Sequence, residues 1–199
     1  NLGTTPPSLE VCYDSDPSGA FAWDWGNAAA SSIDALSDGI ADYATLYNVF
    51  LGDSAGTSTT TGTNNVALGY RALNANVAKS ESTAIGYDAM RYADSGAAAV
   101  TYNTAVGAYA LQGSTTAASN TGTSNTAVGH SALAANTSGY ENTALGKSAM
   151  AANLDGYRNV AVGALALTSN QDGYRNTAFG HGALYSNVSG LDNAAGGTY

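Results

Sequence analysis

A short alternation recurs along this chain: a β-branched residue and a larger apolar one flank an alanine, with asparagine before them and glycine after. Asn125-Thr126-Ala127-Val128-Gly129 is one copy. Others open at Asn48, Asn65, Ser82, Asn103, Asn142, Asn159 and Asn176, and a faded ninth opens at Asn193. The closing glycines, Gly52, Gly69, Gly86, Gly107, Gly129, Gly146, Gly163, Gly180 and Gly197, lie 17, 17, 21, 22, 17, 17, 17 and 17 residues apart. A fixed period with two small insertions marks a solenoid rather than a globular domain. Alternation predicts a strand over the second to fourth positions, because successive strand side chains point to opposite faces. One face then carries Val66, Leu68, Ile85, Val106, Val128, Leu145, Val162 and Phe179, and the other Ala67, Ala84, Ala105, Ala127, Ala144, Ala161 and Ala178. The bulkier face is expected to fill the core of each rung. The alanine face, with the glycines that follow it, is expected where strands or chains pack closely.

The remaining positions complete a 17-residue template, Asn-Thr-Ala-Val-Gly-x-x-Ala-Leu-x-x-Asn-x-x-Gly-x-x. Glycine after the strand permits a sharp turn with positive φ. Leu73, Leu111, Leu133, Leu167 and Leu184, with Met90 and Met150 at the same position, predict a second apolar segment on the opposite wall. Asn76, Asn136, Asn153, Asn170 and Asn187 come next, and stacked asparagines stabilise a pile of rungs when their amides bond up and down it. The insertions, around 93–102 and 113–124, fall in the return turn and are expected as loops on one face. Nine rungs at roughly 4.8 Å each predict a rod about 43 Å long.

Residues 1–47 do not fit the template. Pro6 and Pro7 mark an extended lead-in, and Leu9–Tyr13 and Ala20–Gly26 are short strand candidates around a turn at Asp14–Gly19. Residues 28–46 read as a short helix or an irregular collar. This division gives an N-terminal connector or attachment segment, 1–47, and a β-solenoid array, 48–199.

Leu, Ile, Val and Phe supply only 31 residues, too few for a thick core, while 39 alanines supply small apolar surface suited to a thin stacked one. Charged residues make up 11% of the chain and the net charge is −9, so no basic stripe is available for nucleic acid. Cys12 is the single cysteine, which excludes an intrachain disulfide. No stretch reaches the ~20 apolar residues that span a bilayer, so membrane insertion is not expected. The chain starts at Asn1 without a basic and apolar leader, as expected of a processed chain or a piece of a longer one.

The sequence contains no catalytic constellation, and neither a metal nor a cofactor is expected. His130 and His181 share one template position three rungs apart, roughly 14 Å by rise, too far to hold one ion. Asp14, Asp16 and Asp24 match no calcium loop and read as a solvated turn. Asn136-Thr137-Ser138 and Asn187-Val188-Ser189 match the glycosylation sequon but belong to the template. The exposed feature with most chemistry is Tyr140, Tyr157 and Tyr174 at one repeat position, with Arg158 and Arg175 beside them and Asp155 and Asp172 close by. Such a column suits contact with a sugar or a protein partner, or simply shields the turn edge.

Asn125 to Tyr140 and Asn142 to Tyr157 resemble the repeats of phage tail-fibre and related proteins, and more distantly the head repeats of trimeric autotransporter adhesins. The resemblance covers about residues 35–197. It implies three chains around one axis, each a parallel β-roll, with the alanine-rich faces meeting near the axis. It also implies a virion fibre or an extracellular, cell-surface setting. The function expected is a structural fibre, a trimeric rigid rod of a phage tail or head fibre that projects or carries host-receptor binding. A bacterial surface adhesin or extracellular filament subunit is the alternative. Expected partners are the chain itself, as a homotrimer with or without end-to-end assembly, and a cell-surface glycan or protein receptor.

Overall fold

The computed structural model describes residues 47–93, 99–116 and 119–198. The N-terminal strand, helix, cysteine and aspartate expectations lie outside the described residues. Eleven strands follow in chain order: β1 (Val49–Leu51), β2 (Val66–Leu68), β3 (Lys79–Ser80), β4 (Thr83–Ile85), β5 (Ala99–Val100), β6 (Thr104–Val106), β7 (Thr126–Val128), β8 (Thr143–Leu145), β9 (Val160–Val162), β10 (Thr177–Phe179) and β11 (Ala194–Gly196). Nine of them form one parallel sheet in the order β1-β2-β4-β6-β7-β8-β9-β10-β11, so the chain is an all-β parallel solenoid. Each strand pairs with its copy one repeat later, as Thr126↔Thr143, Ala127↔Ala144 and Val128↔Leu145 do. The register survives both insertions, with Thr83↔Thr104 and Thr104↔Thr126 paired in turn. After the first insertion the chain re-enters as β5, which pairs with β3.

The strand faces are reversed from the expectation. Ala67, Ala84, Ala105, Ala127, Ala144, Ala161 and Ala178 are fully buried inside the single chain. Val66, Leu68, Leu145 and Phe179 are exposed, and Ile85, Val106, Val128 and Val162 are half-buried. The strand residues assigned to the rung core therefore point outward, and the alanines cannot meet other chains at an axis. The reason is the narrow interior. Leu73, Met90, Leu133, Met150 and Leu167 are fully buried and Leu111 nearly so, leaving room only for a methyl group on the strand side. Leu184 packs against the same cluster while half-exposed.

The first rung tests this volume argument. There the inward strand residue is Phe50, 1% exposed, and the position that elsewhere holds Leu or Met is Gly56. A Cβ on Gly56 would lie 2.5 Å from the Phe50 ring, so the ring occupies the space an aliphatic side chain fills in later rungs.

Tight winding places ordinary residues in left-handed backbone. Leu73, Met90, Leu111, Leu133, Met150, Leu167 and Leu184 all have φ between 47° and 53°. Arg71, Asp88, Ser131 and Ser148, two positions earlier, and Glu141, Arg158, Arg175 and Asp192, just before the motif asparagine, are left-handed too, with φ between 53° and 57°. Each such residue costs on the order of 1–2 kcal/mol. One rung alone could not hold this geometry, and the cost is offset by bonding to the rungs above and below. Gly146 shows how close those rungs are: its φ is +140°, and an added Cβ would sit 2.5 Å from the Gly163 carbonyl oxygen.

Two asparagine ladders run through the interior. In the first, the Asn142 Oδ1 accepts from the Asn159 backbone N–H at 3.0 Å, and its Nδ2 donates to the Gly156 carbonyl at 2.7 Å. Asn125, Asn159 and Asn176 repeat both bonds. In the second, the Asn153 Nδ2 donates to Asn136 Oδ1 at 2.7 Å and the Asn170 Nδ2 to Asn153 Oδ1 at 2.8 Å. Where the insertions interrupt this ladder, Asn120 folds back from the second insertion and donates to the carbonyls of Tyr92 and Ser114. Buried amides left unpaired would cost about 1–3 kcal/mol each, so every buried asparagine of these ladders is held by the next rung or its own turn.

Candidate functional site

Three surfaces of the rod carry side chains able to engage a partner. The first is the outer face of the nine-stranded sheet. Leu51, Leu68, Ile85, Val106, Val128, Leu145, Val162 and Phe179 make one column along it, with Val and Thr in a parallel column two residues earlier. No described segment covers it. At ~4.8 Å per strand and ~10 Å across, it presents on the order of 400 Å² in projection, the range in which an apolar patch marks an interaction site.

The second surface is the corner before each strand. Tyr140, Tyr157 and Tyr174 stack there with ring centroids 4.8 and 4.7 Å apart and planes within 3°. This is the rung spacing, so each ring lies flat on the next. Arg158 pairs with Glu141 one rung down at 2.7 Å, and Arg175 with Asp192 one rung up at 2.6 Å. The Arg158 pKa is raised by its hydrogen bond to Glu141 and that residue's charge. Asp155 pairs with neither arginine and accepts from the hydroxyls of Thr137 and Ser138. These pairs are half-exposed and contribute little stability.

The third surface is the corner after each strand, which sequence reasoning did not single out. Tyr70 and Tyr87 have centroids 5.3 Å apart and planes at 23°. Tyr87 and Tyr109 meet edge-on at 69°, and Tyr109 and His130 at 71°. Arg71 lies 4.6 Å over the Tyr70 ring and grips Asp88 with Nε and Nη2 at 2.8 and 2.9 Å. Its Nη2 also donates to the Tyr87 hydroxyl at 3.0 Å. Arg91 reaches the same carboxylate at 3.3 Å and lies 4.7 Å over Tyr92. Partial burial would lower the Arg71 pKa, and the hydrogen bond and charge of Asp88 outweigh it, raising the value overall. The available signal was the Gly-Tyr pair at 69–70 and 86–87, one repeat apart.

Among the described residues no group of three or more His, Cys, Asp or Glu gathers as a metal site. No helix among them is long and apolar enough to cross a membrane. The fold and its repeated surfaces define a parallel β-solenoid repeat protein, a class compatible with a fibrous or adhesin-like structural role. No family model, curated protein or solved structure matches the chain.

Proposed function

We propose that the protein is a structural fibre protein, a trimeric rigid rod of a phage tail or head fibre that projects or carries host-receptor binding. The observation that carries this reading is the outward apolar column on the sheet. It runs the length of the rod at the rung period, and a second copy of the same chain offers a surface with the same spacing. Packing the sheets of three copies around an axis buries the column and leaves both aromatic corners at the periphery. The likeness of the repeat to phage-fibre and adhesin-head repeats supports the same arrangement. Residues 1–47, with both tryptophans and the single cysteine, serve in this reading as the connector to a larger particle. A stiff rod holding several copies of a weak contact converts modest affinity into avidity.

Light scattering on the native particle tests the assembly. Three times the chain mass is expected. A monomer overturns the trimer, and a very large polydisperse mass favours a filament or adhesin subunit joined end to end.

A further inference from the structure

We infer that the corner bearing Tyr70, Arg71, Tyr87, Arg91 and Tyr109 is a binding site for an acidic polysaccharide lying along the rod, with the Tyr87 and Tyr109 rings taking the sugar faces and the guanidiniums its carboxylates. The inference rests on reading the rod as a carrier of receptor binding, and it names the ligand and the site.

The contrast between the two aromatic corners carries the argument. In the Tyr140, Tyr157 and Tyr174 column the rings are parallel within 3°, so the faces between rings are consumed inside the column and mainly edges and hydroxyls remain. In the other corner the rings turn by 23°, 69° and 71° from one to the next. Tyr70 is stacked on Tyr87 and carries Arg71 over its ring. The open aromatic surface therefore comes from the edge-to-face contacts of Tyr109 with Tyr87 and His130, which leave a ring side outside the contact, and Tyr87 is 42% exposed. The splay has a local cause. The second aromatic in this column, Tyr87, follows its rung glycine directly, whereas Tyr109 stands one residue further on, after Ala108. An outward aromatic face suits the apolar C–H face of a pyranose.

Charge narrows the ligand class. The chain carries −9 overall, yet here two guanidiniums share one carboxylate. The Asp88 side chain is 3% exposed while those of Arg71 and Arg91 are each 24% exposed, so at these two rungs the charge turned to solvent is positive, and Asp53, one rung below Tyr70 in the same column, is an exposed carboxylate. His130 and Lys147 continue the same corner upward, since the amides of Ser148 and Leu165 bond to their carbonyls in the register that Asp88 and Tyr109 use with Tyr70 and Tyr87. A planar guanidinium matches a carboxylate. A neutral glucan would leave it unused.

The test is calorimetric titration of the full-length protein in its native assembly with oligogalacturonate, against neutral malto-oligosaccharide and a single-stranded oligonucleotide. Binding of the uronate alone is expected, weakening as salt rises. Tyr87→Ala and Arg91→Gln should each reduce it at least about tenfold, as loss of a stacking platform or a charge-assisted bond does. Tyr157→Ala, in the parallel column, should leave it unchanged. Equal binding of the neutral glucan or the oligonucleotide, an unaffected Tyr87→Ala protein, or loss of binding in Tyr157→Ala overturns the inference. Mass measured on the same samples separates the two readings. An intact trimer that ignores uronate sinks this site alone, and a monomer that binds it sinks only the trimer.

Discussion

Asn142 is wedged between two rungs that ask different things of it. The Asn159 N–H needs an acceptor and the Gly156 carbonyl needs a donor, and a primary amide is the one neutral side chain of this length that supplies both. Asn142→Asp keeps the shape and loses the donor, setting a buried carboxylate against a carbonyl. A loss of about 2–4 kcal/mol is expected at neutral pH, read from chemical unfolding. The sign with pH follows from burial, which raises the folded-state pKa of the new carboxyl above its unfolded value of about 4. Below the unfolded value both states are protonated and the charge penalty vanishes. It grows as pH rises through the folded value, so the variant should regain stability on mild acidification relative to the parent. Gly146→Ala meets both a φ of +140° and a neighbouring carbonyl 2.5 Å from the new methyl. It should lose at least ~2 kcal/mol, and an unchanged melting temperature would contradict the stacking described.

The strands of the main sheet are three residues each, and the direction of their faces was the part least legible in the sequence. Alternation shows that Val66 and Leu68 share a face and that Ala67 takes the other, but nothing local says which face turns inward. That is decided across the rung, where Leu73 and its equivalents already fill the interior. Phe50 and Gly56 are a swap of the same volume, readable only once the two positions are known to touch. Phe50→Ala should cost ~3–4 kcal/mol by leaving a cavity, and adding Gly56→Leu should restore part of it, since Gly56 has φ 59° where Leu73 has 50°. A double variant no better than Phe50→Ala would refute the exchange. The period, the strand positions, the opposite apolar wall and the ladder of Asn136, Asn153 and Asn170 were legible, because stacking makes each repeat its own neighbour, whereas the ladder of the motif asparagines was not anticipated. The Arg71–Asp88 pair, 17 residues apart, was legible by the same rule but hidden by reading tyrosines first. The ring angles were not legible, since they depend on Tyr109 standing one position out of register.

For the whole molecule, stability is a sum over rungs and their interfaces. Removing residues 143–159, one complete period, should leave a cooperative fold shortened by one rung, with the same circular dichroism per residue and a lower melting temperature. Unfolding on this deletion would mean that the rungs are not interchangeable. The sheet face makes a separate prediction. Leu68→Asp together with Val128→Asp places charge on an outer column without touching the interior. The proposed trimer should fall to monomers by light scattering while the fold persists. A trimer that survives both changes is held together elsewhere.

The bonds between strands run along the rod, and the chain itself runs across it. A pull on the two ends therefore loads the rung interfaces one after another, in series, so the weakest opens first and the rest hold. Each release frees 17 residues, roughly 55 Å of extended chain beyond the rung it leaves, and the two insertions make two of the releases longer. Such a rod yields by paying out length in measured steps, and a single-molecule stretching trace would display the repeat, insertions included, as the spacing of its teeth.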